Sequence, residues 1–280
     1  MFETATLTGL TVLVAFSLVL YAYLKRKINT SAFLGTLGLG VVILLALGLE
    51  FGYAGLLLLL AFFVFGNLVT KYKYEKKELL GVAEGGGGGE SGGGGESGGG
   101  GKGGGGKGGG GKGGGSKGMR DINNVLGNGL SPLVFAVFYG FSQKTVFLLG
   151  FSGAVATACA DTFSTEIGQA DGGEPRLITT LKKVPVGTNG GVSLAGLGAA
   201  LLGSGLISLA ALAFVGDGGP YYSFFLFCIF SGFLGCVVDS LLGASVEDRR
   251  PLKLNKHQVN ILATLFGGVF AIFLGQVFGM

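Results

Sequence analysis

Two aspartates stand within long stretches of the sequence that are predominantly apolar. Asp161 lies in the run CADTFSTEIG, and Asp239 lies in the run VVDSLLG. An ionisable side chain within a long apolar segment is costly, which makes each of them a candidate for function. An ion pair with a nearby Arg or Lys at a helix end would also explain them. The neighbouring threonines and lysines favour a second explanation, in which the carboxylates bind Mg²⁺ as hard oxygen ligands.

The residues that follow Asp161 form a polar stripe if this segment is helical. Ser164, Thr165 and Gly168 stand three, four and seven positions further on, which is the spacing of one helix face. Glu166 stands five positions further on, about 140° away around an ideal helix. We therefore expect Glu166 to join the stripe only if the helix breaks or unwinds.

A loop of basic residues, hydroxyls and glycines follows this segment. It reads EPRLITTLKKVPVGTNGG at 174–191 and leads directly into an apolar helix. The free N–H groups and the dipole of a helix N-terminus attract anions, and glycine lets the backbone approach a phosphate closely. A basic loop can be only a signal of membrane topology, but that explanation leaves the segment GTNGG unexplained. The loop therefore predicts a phosphate site.

Two further polar patches precede apolar segments, namely RDINNVLGNG at 120–129 and KLNKHQVN at 253–260. In the second patch Asn255 is followed three residues later by a glutamine, which is the spacing of a helix N-cap, so capping explains part of it. Lys256 and Asn260 are neighbours on a helix and can turn toward a phosphate.

The cysteines and the single histidine do not suggest a zinc site or a catalytic triad. Cys159, Cys228 and Cys236 lack the CxxC spacing of zinc ligands, and all three lie in apolar segments. We interpret them as small buried side chains. We interpret His257 as a surface residue near the lipid headgroups, which needs no functional role.

The elements that must position these residues are long apolar segments. The mean hydropathy is +0.63, and only 13% of the residues are charged, which excludes a soluble domain. A helix of about 20 apolar residues crosses a bilayer core. We therefore expect an all-α, polytopic protein of about eight transmembrane helices, whose first helix is a membrane span and not a removed signal peptide. The expected spans are 7–24, 32–49, 52–70, 126–142, 145–162, 192–215, 221–239 and 259–279.

A low-complexity tract divides the chain. Glycine makes up 25 of the 34 residues at 85–118, a composition that cannot bury apolar surface and that predicts a long disordered loop. Every lysine in the tract is followed by glycine, which excludes a Walker-type phosphate loop there. We expect a three-helix membrane part at 1–70, a Gly-rich linker at 71–119 and a five-helix catalytic part at 120–280.

The basic residues predict the orientation of the helices. With the N-terminus outside, 19 of the 20 lysines and arginines fall on the cytoplasmic side, and only Lys144 falls outside. Cytoplasmic segments of membrane proteins carry such an excess of positive charge. We therefore expect a multi-pass protein of the cell membrane, with the Gly-rich tract and the candidate site on the cytoplasmic side.

Together the motifs resemble a known family. The likeness is to the integral-membrane family that holds plant phytyl-phosphate kinase and animal transmembrane protein nineteen. It covers 120–280, with a looser match to the first three helices, and it does not include the Gly-rich tract. A remoter similarity in layout connects the motifs to phytol kinase, dolichol kinase and CDP-diacylglycerol synthase. The motifs are NG at 128–129, ADTFSTEIG at 160–168, PR at 175–176, KKVPVGTNGG at 182–191 and DSLLG at 239–243.

The resemblance implies a kinase that transfers a phosphate from a nucleoside triphosphate, namely CTP, to an isoprenoid monophosphate and gives the diphosphate. The implied cofactor is Mg²⁺, and the implied partners are the prenyl-phosphate lipid and the membrane, with no nucleic acid. A homo-oligomer is compatible with this reading. An anionic acceptor phosphate needs no general base, so catalysis would consist of positioning and charge neutralisation.

The resemblance also implies roles for individual residues. Asp161, Asp239 and Lys182 would be catalytic. Asp161, Glu166 and Asp239 would hold the metal. The triphosphate, the acceptor phosphate and the base would be bound by Arg120, Asn128, Ser164, Thr165, Lys183, Gly187, Thr188, Asn189, Asn255, Lys256 and Asn260.

Two other classes of function remain as alternatives. A CTP-dependent nucleotidyltransferase would use the same site but would release pyrophosphate and leave a CDP-lipid. A membrane transporter would need polar residues through the bilayer midplane and on both faces. The outer face carries few charges in the expected topology, namely Glu3, Glu50, Lys144 and Asp217.

Cysteine-accessibility labelling tests the orientation. In a variant without native cysteines, we predict that Asp217→Cys is labelled from outside intact cells and that Ser97→Cys is not. The reason is the distribution of basic residues, which places the Gly-rich tract inside. Labelling of the Ser97→Cys variant from outside would overturn the orientation.

Overall fold

The computed structural model describes residues 2–83, 121–247 and 252–279. In that part of the chain, seven helices are long and apolar enough to cross a membrane, and the predicted all-α, polytopic architecture is confirmed. The Gly-rich tract and Arg120 lie outside the described residues. The elements are α1 (Phe2–Leu24), α2 (Thr30–Thr70), α3 (Tyr74–Leu79), α4 (Ile122–Ser142), α5 (Val146–Asp171), β1 (Arg176–Leu177), β2 (Gly191–Val192), α6 (Leu194–Ala211), a 3-10 turn (Leu212–Phe214), α7 (Tyr221–Ser245) and α8 (Lys256–Val277).

The long helix α2 folds back on itself and supplies two of the predicted spans. Its backbone is not helical at Gly48, where φ is 66° and ψ is −167°, a conformation that glycine adopts without strain. A Cβ atom at Gly40 would lie 3.9 Å from a methyl of Leu56. On a straight helix these two residues would be about 24 Å apart. The two arms of α2 therefore form an antiparallel hairpin, and the seven helices provide eight apolar arms.

Helix α5 is the central element of the bundle and contacts α2, α4, α6, α7 and α8. Its middle is built from small residues, which let the neighbouring backbones approach closely. Close packing matters here because lipid tails are as apolar as large side chains, so hydrophobicity alone does not hold membrane helices together. A Cβ atom at Gly153 would lie 2.9 Å from the carbonyl oxygen of Gly267 on α8. A Cβ atom at Gly203 on α6 would lie 2.9 Å from the carbonyl oxygen of Cys159. These contacts fix the position of α5.

The two membrane parts that we predicted share one hydrophobic core. Ile43 and Leu58, on the two arms of α2, belong to the same buried cluster as Phe135 of α4 and Phe151 of α5. The division into parts at 1–70 and 120–280 stays a prediction. Helix α3 falls in the segment that we predicted as linker.

The loops that carry the basic residues gather at one end of the bundle, called here the basic end. Lys73 Nζ, just before α3, lies 2.6 Å from Asp171 Oδ1 at the end of α5. A Cβ atom at Gly187 would lie 2.7 Å from the side chain of Val82. The chain segments 25–29, 71–83, 172–193 and 252–255 form this end.

Candidate active site

Asp161 of α5 and Asp239 of α7 meet inside the bundle. Their carboxyl groups are close enough to hydrogen-bond to each other, and both lie near the thiol of Cys236. Both aspartates are half-buried. The close approach depends on Gly235, where a Cβ atom would lie 2.9 Å from the Cβ of Thr157 on α5. The structure thus brings together two residues that we predicted to be catalytic.

Two more charges act on this pair. Glu247, just after α7, and Lys256, at the start of α8, both interact electrostatically with Asp239. The glutamate adds negative charge, and the lysine opposes it. The site therefore holds three acidic side chains and one basic side chain at the basic end of three different elements. The single positive charge of the lysine does not balance the three carboxyl groups when all are ionised.

A cavity of about 350 Å³ opens beside Asp161, between α1, α2, α4, α5 and α8. At the basic end its wall carries carboxylates, hydroxyls, amides and a lysine. Five of the residues that we predicted for the site line it, together with the aspartate itself and with polar residues that we did not predict. The polar lining residues at this end are Thr36, Asn124, Asn128, Asp161, Thr162, Thr165, Glu166, Lys256, His257 and Asn260.

Away from the basic end the cavity is apolar. Helix α1 and both arms of α2 supply most of this part of the wall. A cavity with one polar end and an apolar body matches the shape and chemistry of a lipid with a small polar head. The apolar lining includes Val12, Phe16, Val19, Leu37, Leu39, Leu44, Leu56, Leu59, Phe62 and Phe63.

Polar contacts between α4 and α8 fix one wall of the polar end. Thr264 Oγ1 donates to Ser131 Oγ at 2.9 Å. One turn nearer the basic end, the amide of Asn260 donates to Asn128 Oδ1 at 3.4 Å. Gly127 lies against the backbone of His257, because a Cβ atom there would be 3.5 Å from the histidine Cα. The predicted residues Asn128 and Asn260 are therefore held side by side on the cavity wall.

Glu166 does not join the stripe of Asp161, because α5 is unbroken from Val146 to Asp171. Its carboxylate forms an ion pair with Lys77 of α3, and the two residues are 1% and 0% exposed. Lys77 Nζ also donates to the carbonyl oxygen of Thr70 at 2.8 Å. The structure therefore gives Glu166 a different partner from the metal that we predicted. Among the described residues, no group of three or more His, Cys, Asp and Glu side chains could hold a metal ion.

The loop between α5 and α6 packs on the end of α7. Its strands β1 and β2 pair in an antiparallel sheet. At Gly190, where φ is 74°, a Cβ atom would lie 2.6 Å from the carbonyl oxygen of Ser240. Only glycine fits this position, for reasons of both backbone angle and space. The segment GTNGG thus lies against the helix end that carries Asp239, and none of its residues lines the cavity.

The side chains of this loop point mostly outward. Lys182, Lys183 and Asn189 are exposed. Lys183 pairs with Glu174, and this hydrogen bond lowers the pKa of the glutamate carboxyl. The hydroxyl of Thr188 donates to the carbonyl oxygen of Pro185 at 2.7 Å and closes a turn. The structure therefore brings the loop to the basic end without placing these side chains in the cavity.

Two other predicted residues have structural partners. Ser164 faces α6, where a Cβ atom at Gly196 would lie 3.2 Å from the serine Oγ. Asn255 caps α8, because its side-chain oxygen accepts from the backbone N–H of Gln258 at 3.0 Å. In turn, the side-chain oxygen of Gln258 accepts from the backbone N–H of Asn255 at 2.9 Å. This capping box is the part of the second patch that capping was expected to explain.

Sequence reasoning missed several residues of this region, among them Lys77, Asn124 and His257. Lys77 lay in the predicted linker, and nothing in the run YKYEKKELL distinguishes it from the lysines beside it. Asn124 lies four residues before Asn128, and this helical spacing could have predicted that both share the cavity wall. His257, which we interpreted as a surface residue, is half-buried and lines the cavity. The three cysteines are buried, as predicted.

The fold and the site define a polytopic membrane protein with an amphipathic cavity that ends at a pair of carboxylates. The chain belongs to the integral membrane protein family DUF92, whose sequence profile matches residues 13–268. The family resemblance that the motifs indicated is confirmed.

Three relatives illustrate the breadth of the family. An uncharacterized membrane protein of Methanocaldococcus jannaschii is 30% identical over 274 residues, which cover 97% of this chain and 96% of the relative. The chloroplastic protein VTE6 of Arabidopsis thaliana is 32% identical over 232 residues, which cover 81% of this chain and 60% of VTE6. An uncharacterized membrane protein of Synechocystis is 31% identical over 239 residues, 84% of this chain and 77% of the relative. No solved structure matches the chain.

The ion pair between Lys77 and Glu166 gives a prediction about stability. Lys77→Met leaves a buried carboxylate without its partner, and we expect it to cost about 3–5 kcal/mol of unfolding free energy. Lys73→Met is the matched control, because its pair with Asp171 is 47% exposed on the lysine side and is screened by solvent, so its loss should change the stability little. Thermal unfolding in detergent measures both. Equal destabilisation by the two substitutions would contradict the burial of the Lys77 pair.

Proposed function

We propose that this protein is a prenyl-phosphate kinase, which transfers a phosphate from a nucleoside triphosphate, CTP, to an isoprenoid monophosphate. The observation that carries the proposal is the cavity, which has an apolar body within the membrane and a polar end beside Asp161 and Asp239. The family resemblance supports the same reaction. We further propose that the basic end faces the cytoplasm, where nucleotides are available.

The acceptor lipid would place its tail in the apolar body and its phosphate at the polar end. Lys256 supplies a positive charge there, and the amides of Asn128 and Asn260 supply hydrogen-bond donors. Charged hydrogen bonds to phosphate are stronger than neutral ones, so the lysine would fix the headgroup and the asparagines would orient it. Thr165 lines the same end and offers a hydroxyl.

The paired carboxylates are suited to a magnesium ion. Mg²⁺ is commonly held by one or two protein carboxylates together with substrate phosphates, and Asp161 and Asp239 provide two that are in contact. Two carboxylates this close repel each other when both are ionised, and a divalent cation removes that repulsion. When bound, the ion would neutralise charge on the phosphates. In this arrangement Glu166 acts through Lys77, as a structural residue.

The donor nucleotide would approach outside the cavity, at the end of α7. There the loop at 182–191 lies against the end of α7, next to Asp239, and presents exposed lysines and glycine backbone. Lys182, Lys183 and Asn189 would meet the triphosphate, and Lys182 would stabilise the charge that develops on it. The acceptor would then reach Asp161 from the cavity and the donor would reach Asp239 from the loop, and the contact between the two aspartates would bring the reacting phosphates together.

The reaction itself makes few demands on the protein. An oxygen of the acceptor monophosphate forms a bond to the γ-phosphorus of CTP, and the bond from that phosphorus to the β–γ bridging oxygen breaks. CDP leaves with the electron pair. The attacking oxygen is already anionic, so no residue needs to remove a proton from it.

Conservative substitutions of the two aspartates test the proposal. Asp161→Asn and Asp239→Asn preserve shape, and we expect each to lower the transfer rate by about 10²–10³ because one electrostatic contributor is lost. Asp217→Asn, at the exposed turn before α7, is the control and should leave the rate unchanged. Raising Mg²⁺ should recover part of the lost rate. Near-normal transfer in either aspartate variant would show that the aspartate is structural.

Product analysis separates the kinase from the nucleotidyltransferase. Purified protein receives a prenyl monophosphate with CTP that is labelled at either the α- or the γ-phosphate. The kinase gives a prenyl diphosphate that carries the γ-label, together with CDP. Transfer of the α-label to the lipid, with release of pyrophosphate, would contradict the kinase proposal and favour the alternative.

A further inference from the structure

The apolar end of the cavity closes against the α2 hairpin. Along the second arm of the hairpin, Gly66 lies at the polar end, where a Cβ atom would be 4.0 Å from Thr162. Leu56 lies ten residues nearer to the bend, about 15 Å deeper along the helix. Leu44 of the first arm and Val12 of α1 line the same deep end. These residues form what is called here the rear wall.

We propose that the α2 hairpin sets the length of prenyl chain that the protein accepts, with Gly40 and Leu56 as the residues that determine specificity. This inference rests on the proposed function, because it assumes that the cavity holds the lipid tail. It goes further by assigning the limit on chain length to two positions that face each other across the hairpin.

Gly40 lines the cavity at the point where the two arms are close. A Cβ atom there would lie 3.9 Å from a methyl of Leu56, which is ordinary van der Waals contact. A methyl group therefore fits, but any longer side chain at this position must extend into the cavity. The absence of a side chain at Gly40 keeps the deep end open.

The rear wall cannot retreat easily. Leu56 is 8% exposed and packs between the arms. Leu44 is held from behind, because a Cβ atom at Gly52 would lie only 2.7 Å from one of its methyls. Close-packed interiors transmit such constraints instead of yielding to them. A prenyl chain that is too long would meet a firm surface.

Steric fit is the expected source of selectivity. The tail leaves a bilayer that is as apolar as the cavity, so transfer of each isoprene unit into the cavity gains little free energy. Longer chains are therefore not bound more tightly for hydrophobic reasons alone. Overlap with the rear wall, in contrast, is costly in the way that overpacking is in a protein core. The cavity should discriminate by excluding long chains.

The test uses paired variants and a series of acceptors with two, three and four isoprene units, namely geranyl, farnesyl and geranylgeranyl monophosphate. Gly40→Leu should lower kcat/KM for the longest accepted chain about tenfold or more relative to the shortest. Gly38→Leu is the matched control, because Gly38 is exposed on the same arm with nothing within 4 Å of its Cβ position. It should leave the ranking of the three acceptors unchanged.

A second pair of variants tests the opposite change. Leu56→Ala should shift the ranking toward longer chains by removing part of the rear wall, and its control is Leu57→Ala, at a residue that is 38% exposed. Binding of the same monophosphates is measured separately, by the thermal stabilisation that they give to purified protein. This measurement does not depend on phosphate transfer. If one of the two variants, Gly40→Leu or Leu56→Ala, does not fold, the other still tests the rear wall.

The outcomes separate the two proposals. An altered length ranking in Gly40→Leu or Leu56→Ala, with the controls unchanged, supports the rear wall. If the unmodified protein binds and phosphorylates the acceptors but the folded variants keep its ranking, the rear wall is wrong and the kinase stands. If the unmodified protein binds the acceptors by length but transfers no phosphate, the rear wall stands and the kinase is wrong. Binding of none of the acceptors would contradict both.

Discussion

The contact between Asp161 and Asp239 is the constraint on which the rest of the structure depends. Two carboxyl groups at hydrogen-bonding distance, half-buried in an apolar helix bundle, are unfavourable unless positive charge or a proton compensates them. The surrounding elements serve to create this contact. The small residues along α5 allow α7 to approach, and Gly235 removes the side chain that would prevent it. So costly an arrangement indicates that the two aspartates have a functional role.

Asp161 lines the cavity, and Asp239 lies next to the loop at 182–191. The polar wall of the cavity is fixed by the contacts between α4 and α8. The loop is anchored to α7 through Gly190. Helix α3 packs on the basic end, where Lys77 forms an ion pair with Glu166 of α5. The proposed lipid and nucleotide would therefore meet at the two aspartates, as a transfer reaction between them requires.

Much of the architecture could be predicted from the sequence, because lipid imposes a simple rule on segment length and polarity. Because charged residues are rare within membrane-spanning segments, the sequence alone indicated Asp161 and Asp239 as candidate functional residues. The hairpin of α2 was predicted as two spans, although the bend at Gly48 could not be singled out among so many glycines. Lys77 could not be predicted, because its burial depends on a partner 89 positions away in the chain. The loop lysines were predicted from their type, but only packing shows that their side chains face outward.

The most direct test of the account is whether the two aspartates bind one divalent cation. Mn²⁺ accepts the same oxygen ligands as Mg²⁺ and can be titrated by electron paramagnetic resonance in purified protein. The account predicts a bound Mn²⁺ signal in the unmodified protein that is displaced by Mg²⁺ and is lost in both Asp161→Asn and Asp239→Asn. The same signal should persist in Asp217→Asn. Undiminished Mn²⁺ binding in both aspartate variants would contradict it.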